Sequence, residues 1–409
     1  MATVVLVGTL DTKGTEYGFL RDRLLEAGCE VVLVDAGVLG EPTVTPDIDR
    51  ATVAQAAGAS VTDLAAAHDR GAAVAAMARG ATEIVTGLHA EGRLHGILGL
   101  GGSGGSSLIT QAMRALPVGV PKLMVSTVAS GDTRPYVGAV DVTMMYSVVD
   151  IAGINRISAR IMRNAAAAIA GMATSYAEAD AGAGDRPLIG ATMFGVTTPA
   201  VDHARKQLED LGYEVVVFHA TGTGGQSLEA LVAGGFLAGV LDLTTTELAD
   251  ELVGGVFSAG PDRLLQAGRS GVPQVVSLGA LDMVNFGPMA TVPERFRDRT
   301  LYVHNPTVTL MRTTPEECAE LGRQIAAKLN AATGPVALFI PRKGVSLIAT
   351  EGEVFHDPAA DAALFEAILA NIGPKVEVHD LDLAINDPEF AGAMATRLHE
   401  MISQAAKTA

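Results

Sequence analysis

The chain has 409 residues, 48% hydrophobic and 18% charged, which excludes an intrinsically disordered protein and leaves room for two or three domains, each with its own core. A net charge of −17 excludes a nucleic-acid surface, which needs a basic stripe, and no apolar stretch is long enough to span a bilayer. There is no basic-then-apolar leader, and Cys29 and Cys318 fall in no metal-type spacing, so the expectation is a cytoplasmic protein without a disulfide framework or zinc site.

The first half alternates strands and helices. The apolar run Val4-Val5-Leu6-Val7 predicts a buried strand, and residues 15–27 predict a helix with Phe19, Leu20, Leu24 and Leu25 on one face. Gly28 closes that helix and a strand is predicted over 30–34. This is a βαβ unit, which implies a parallel sheet with a right-handed crossover. Alanine-rich sequence over 61–77 predicts helix. A strand over 96–100 runs into Gly101-Gly102-Ser103-Gly104-Gly105-Ser106-Ser107, with a helix expected over 108–116. A strand over 122–125 follows, then a long helix over 151–173 whose Ile151, Ile154, Ile157 and Ile161 share a face, with Asn155 and Arg156 off it.

The order strand, glycine loop, helix start makes a phosphate cradle. Glycines let the backbone approach an anion, and the free N–H groups of the helix's first turn point at it. Gly99-x-Gly101-x-x-Gly104 formally matches the dinucleotide fingerprint, but residues 118–124 offer no acid for a ribose. Gly105 is followed by Ser106-Ser107, so the P-loop lysine is missing and the cation must come from elsewhere. Lys13 supplies one, in Gly8-Thr9-Leu10-Asp11-Thr12-Lys13, where the first strand meets the first helix. Asp11 reads either as a magnesium ligand or, with Thr12, as a helix cap. Ser130-Gly131-Asp132-Thr133 follows a third strand, and Asp132 is a second metal or ribose candidate. Three such loops after three strands point to one shared site.

Residues 179–187 read as a linker, after which the pattern restarts. A strand over 187–192, a helix over 201–211, Gly212 and a strand over 214–218 repeat the opening, and residues 25–32 align with 209–216. A duplication and a coincidence of two common βαβ openings both account for this. Further strands are expected at 240–241, 274–276, 336–340 and 376–379, and helices at 315–329, 359–369 and 388–404. His219-Ala220-Thr221-Gly222-Thr223-Gly224-Gly225 is another strand–glycine loop–helix, hence a second anion site. Arg312, at a strand end before Pro315, suits the grip of a small carboxylate, with His304 and Lys343 as acid/base candidates in neighbouring loops.

Taken together, these motifs resemble the Tm-one-like ATP-binding family, which includes the tomato mosaic virus resistance protein. The matching residues are Gly8 to Lys13, Gly99 to Gly105, Ser130 to Thr133, Gly153-Ile154-Asn155-Arg156, His219 to Gly225, Leu281 to Gly287, His304-Asn305-Pro306 and Met311 to Glu317. The resemblance implies two Rossmann-like domains, with ATP and Mg²⁺ in the first half and a homodimer formed through that half. With the alternating pattern, the expected fold is two doubly wound α/β domains with parallel sheets, 1–180 and 187–409, facing a cleft, and Asp11 and Asp132 are the residues expected on the metal. It does not supply a reaction. The leading expectation is an ATP-dependent enzyme acting on a small anionic, carboxylate-bearing metabolite. The rivals are a nucleotide-gated binding module without turnover, and a sugar-acid lyase or hydrolase whose first site holds phosphate.

Overall fold

The computed structural model describes residues 1–179 and 186–408, so most of the linker expected over 179–187 lies outside the described residues. The chain separates into two compact units, 1–183 and 184–409.

The first unit runs β1 (Thr3–Gly8), α1 (Leu10–Glu26), β2 (Glu30–Asp35), α2 (Arg50–Ala56), α3 (Val61–Ala66), α4 (Arg70–Ala90), β3 (Gly96–Gly101), α5 (Ser103–Arg114), β4 (Lys122–Ser126), α6 (Arg134–Val137), β5 (Thr143–Tyr146) and α7 (Arg156–Glu178). Its sheet has the order β2-β1-β3-β4-β5, every pair parallel. The strands are apolar on both faces, and alternate residues pack on opposite layers. Val5, Val7 and Ile97 meet Met77, Ala81 and Ile109 of α4 and α5. Val4, Leu6, Leu98 and Leu100 meet Leu20 and Leu24 of α1 and Ile169 of α7.

Three helix starts differ from expectation, each for a local reason. α1 begins at Leu10 rather than 15, its first N–H donating to Asp35 Oδ1 at 3.1 Å. α5 begins at Ser103, so the glycines form its first turn rather than a free loop. α7 begins at Arg156, after Asn155, whose Oδ1 accepts from the N–H groups of Ile157 and Ser158 while Ser158 Oγ accepts from the Asn155 N–H. The alanine-rich stretch is two helices, because Asp69 caps a fresh start at Arg70 by accepting from the Ala72 N–H.

The second unit runs β6 (Leu188–Met193), α8 (Thr198–Asp210), β7 (Glu214–His219), α9 (Thr223–Ala233), β8 (Gly239–Thr244), α10 (Glu247–Val253), α11 (Gln266–Arg269), β9 (Gln274–Gly279), β10 (Met283–Phe286), β11 (Leu301–Asn305), β12 (Val308–Arg312), α12 (Pro315–Asn330), β13 (Val336–Pro341), α13 (Pro358–Asn371), β14 (Glu377–Leu381) and α14 (Pro388–Thr408). Its parallel sheet has the order β14-β13-β9-β8-β6-β7. As in the first unit, the opening strand lies between the second and third, which is as far as the alignment of 25–32 with 209–216 carries. β10, β12 and β11 form a separate antiparallel sheet that the sequence does not announce. Among the described residues, no helix is long and apolar enough to cross a membrane.

Candidate functional site

In the first unit the chain direction of winding reverses between β1 and β3, and open parallel sheets bind ligands at the carboxyl ends of strands at such a point. The two strands pair as far as Val7 and Gly99. Beyond that the buried Tyr17 hydroxyl bridges them, donating to the Val7 carbonyl at 2.5 Å and accepting from the Leu100 N–H at 2.9 Å. Burial pushes the Tyr17 pKa well up, so the phenol stays a neutral donor. Gly8 is there for this ring: a Cβ would lie 2.0 Å from Tyr17 Cζ. Gly8 is therefore a packing glycine, not the ligand contact expected. Tyr17 escaped the sequence reading because its partners lie on two other strands.

Between the β1–α1 turn, the start of α5 and residues 64–74 lies a cavity of about 550 Å³. Its apolar lining comes from Val38, Leu39, Leu64, Val74 and Leu108. Its polar lining centres on the start of α5. The first intrahelical bond of α5 runs from the Ser106 N–H to the Gly102 carbonyl, so the N–H groups of Ser103, Gly104 and Gly105 have no acceptor within the helix. Gly101 lets this turn close on the strand, since its Cβ would meet Gly105 Cα at 3.0 Å. Thr9, Thr12 and Lys13 face the same space, and so does Arg70 from the start of α4. A Cβ on Gly104 would come 3.5 Å from Arg70 Nη2. Neither Lys13 nor Arg70 has an ion-pair partner among the described residues. Arg70 was not singled out from sequence. It stands far before the glycine run, and its only local signal is the preceding cap, Asp69.

The acids sit differently from expectation. Asp11 caps nothing; its Oδ2 accepts from the N–H groups of Leu39 at 2.9 Å and Gly40 at 3.4 Å, tying down the chain after β2. Its Oδ1 is buried with no partner among the described residues. The α1 start is served by Asp35, whose Oδ1 also accepts from the Gly37 N–H at 2.9 Å. Burial raises the Asp35 pKa, and the nearby Asp11 adds to the rise. Asp132 is not at the cavity. It lies in an exposed turn, forked to its neighbour Arg134, which pulls its pKa to about 2. Ser130, Gly131 and Thr133 share that turn, so this loop leaves the expected cofactor set. Ser106 also leaves it: the side chain is buried, bonded to the Gly101 carbonyl and at 2.6 Å to Ser126 Oγ. Ser107 does not line the cavity either, whereas Asp150 does. Among the described residues no group of three or more His, Cys, Asp or Glu side chains could hold a metal ion.

The second glycine loop is a cradle already filled. Glu247 Oε1 accepts from the N–H groups of Gly222 at 2.8 Å and Gly225 at 3.0 Å, where an external anion was expected. Glu247 Oε2 accepts from Arg263 Nε at 2.6 Å. The same guanidinium forks onto Asp242 at 2.5 and 2.6 Å and reaches Glu229 at 3.3 Å. Gly224 is held against the His219 carbonyl, 1.8 Å from where its Cβ would stand. Thr223 and His219 are exposed, and Thr221 turns back to the His219 carbonyl.

His304, Arg312 and Lys343 are not assembled into one site. Arg312 points inward, with Nε on the Phe355 carbonyl, Nη1 on Thr313 Oγ1 and Nη2 on Asp361 Oδ1 at 2.5 Å, so its guanidinium is consumed by the protein. Lys343 is exposed and paired with Asp382 at 2.9 Å. His304 is exposed on β11, beside Gly195. The anion anchor expected of Arg312 is thus an internal brace between β12 and α13.

Comparison with known proteins gives a family match in both units. The Uncharacterised protein family (UPF0261) N-terminal domain matches residues 2–178, and the corresponding C-terminal domain matches 186–402. A UPF0261 protein of Clostridium tetani is 54% identical over 402 residues, covering 98% of this chain and 99% of its own. The ToMV resistance protein Tm-1(GCR237) of Solanum lycopersicum is 44% identical over 338 residues, 81% of this chain but 45% of the tomato protein. Among solved structures, MurG of Acinetobacter baumannii aligns over 100% of this chain and 96% of its own, with 13% identity and a TM-score of 0.21.

Proposed function

The chain belongs to the uncharacterised UPF0261 family, and on that footing we propose that its first unit binds a nucleoside triphosphate of the ATP class at the β1/β3 switch point. One observation carries the reading: the N–H groups of Ser103, Gly104 and Gly105, free of any acceptor among the described residues, share a cavity with two cations that have no ion-pair partner there, Lys13 and Arg70, and with apolar side chains. Phosphates suit the first and a base suits the second. Lys13 takes the place of the missing P-loop lysine as a point charge on the phosphates.

Magnesium fits in part. Asp11 lines the cavity, but its unpartnered Oδ1 is buried and its Oδ2 is taken by the Leu39 and Gly40 N–H groups, so it would help hold the ion only through its charge and an intervening water. That is enough for Mg²⁺ on a nucleotide, which keeps waters and phosphate oxygens. Asp132, away from the cavity, would not take part. The internal use of Arg312 favours a nucleotide-gated binding module over turnover of a carboxylate substrate in the second unit.

Calorimetry tests the reading. Titration with ATP is expected to give one site per chain, because Glu247 fills the second cradle. Gly104→Val is expected to abolish binding with thermal stability unchanged, since a side chain there projects toward Arg70 rather than into the core. Unaltered ATP affinity in that variant would sink the proposal. Lys13→Met is expected to weaken ATP about tenfold more than AMP, a difference of ~1.4 kcal/mol at the distal phosphates. Equal losses would move Lys13 away from the phosphate end.

A further inference from the structure

Resting on that reading, we propose that α3 and the turn leading to Arg70 form a lid that closes over bound phosphates, with Arg70 as its latch. The segment hangs between two anchored helices. Val53 and Ala54 of α2 are buried, as are Ala73, Ala76 and Met77 of α4. α2 and α4 are locked together so closely that a Cβ on Gly80 would fall 1.9 Å from the Val53 carbonyl oxygen. Between them, α3 has no buried residue at all. Only the half-buried Val61 and Leu64 reach the core.

The hydrogen bonds of this segment close locally. Those of α3 run from Leu64 to Ser60, Ala67 to Asp63 and Asp63 to the Ser60 side chain, and Asp69 bonds only into the first turn of α4. Nothing polar ties α3 to the sheet among these bonds. Both ends of the segment are in the left-handed region, Gly58 at φ +68° and His68 at φ +51°. His68 is a non-glycine residue there, so one junction is held in a conformation that is readily exchanged for another. The face the segment turns inward belongs to the cavity, with Leu64, Ala65, His68 and Arg70 lining it. Arg70 is exposed and, among the described residues, unpaired; it stands two residues past the left-handed His68, poised over the first turn of α5. A phosphate on that turn gives the guanidinium a partner it otherwise lacks, which draws the segment down over the ligand.

Amide hydrogen exchange on the full chain, with and without MgATP, tests the lid, with calorimetry on the same samples. At ATP about ten times its dissociation constant, exchange across residues 57–69 is expected to slow about tenfold, as for a segment that opens only when the ligand leaves. AMP at matched saturation is expected to protect it less. Arg70→Met, brought to the same saturation with ATP, is expected to lose most of that protection while keeping protection at the start of α5. ATP that binds without slowing exchange across 57–69 would overturn the lid and leave the binding site standing. Full protection in Arg70→Met would remove the latch. A chain that binds no ATP would overturn both the lid and the nucleotide reading.

Discussion

Arg263→Met is expected to lower the stability of the second unit by about 3–5 kcal/mol, the usual cost of leaving a buried charge uncompensated. Arg263 is 1% exposed and is bonded to three carboxylates, those of Asp242, Glu247 and Glu229. Methionine fills much of the volume but leaves the buried carboxylates of Asp242 and Glu247 without their cation. Glu247 also organises the start of α9, so its displacement frees the N–H groups of Gly222 and Gly225. Arg263→Lys is expected to recover only a small part, because one ammonium cannot reproduce bonds from Nε and both terminal nitrogens. Urea unfolding followed by far-ultraviolet circular dichroism measures both variants. A loss below about 1 kcal/mol for Arg263→Met, within the range of an exposed ion pair, would mean the cluster is not a structural keystone.

Stability is also expected to fall as pH rises from 5.5 to 8, by roughly 2–3 kcal/mol. Burial pushes the Asp250 pKa up to about 7 and that of Asp282 up to about 6. In the unfolded chain both ionise near pH 4, so between there and 7 the folded protein holds more protons than the unfolded one. Raising the pH through that window therefore favours unfolding, and the loss is complete above the folded pKa of Asp250. Asp35, Glu247 and Asp361 are raised by burial and act in the same direction. His89, lowered by burial, opposes them on the acid side of its ordinary range. Asp132 does not enter, because its pKa of about 2 places its effect at far lower pH. Urea midpoints at several pH values decide the matter. A midpoint that is flat or rises toward pH 8 would show that these buried acids are ionised at little cost.

Much of the architecture was legible because it is written at short range. A buried parallel strand is an apolar run, and the helix that follows shows its own period and its own caps. The strands at 4–7, 30–34, 96–100 and 122–125 are all present, extended by one or two residues. So are the helices of the second unit at 315–329, 359–369 and 388–404. The antiparallel sheet was missed because β10 is four residues long and lies fifteen or more residues before its partner, while the β11–β12 hairpin turns through Pro306-Thr307 with a register shift that blurs its period.

The sequence by itself determined that two α/β units form and that a strand, a glycine turn and a helix start follow one another at Gly101 to Gly105. Each of these depends on residues within a turn or two of one another. Only the tertiary structure decided which turns face a common space. It brought Lys13 and Arg70 to the α5 turn and sent Asp132 to Arg134. It also closed the second glycine turn with Glu247, a residue more than twenty positions away. Two glycine turns of similar sequence therefore have opposite fates. A backbone N–H cluster attracts whatever anion the fold delivers to it, and at Gly222 and Gly225 that anion is part of the chain, held there by Arg263.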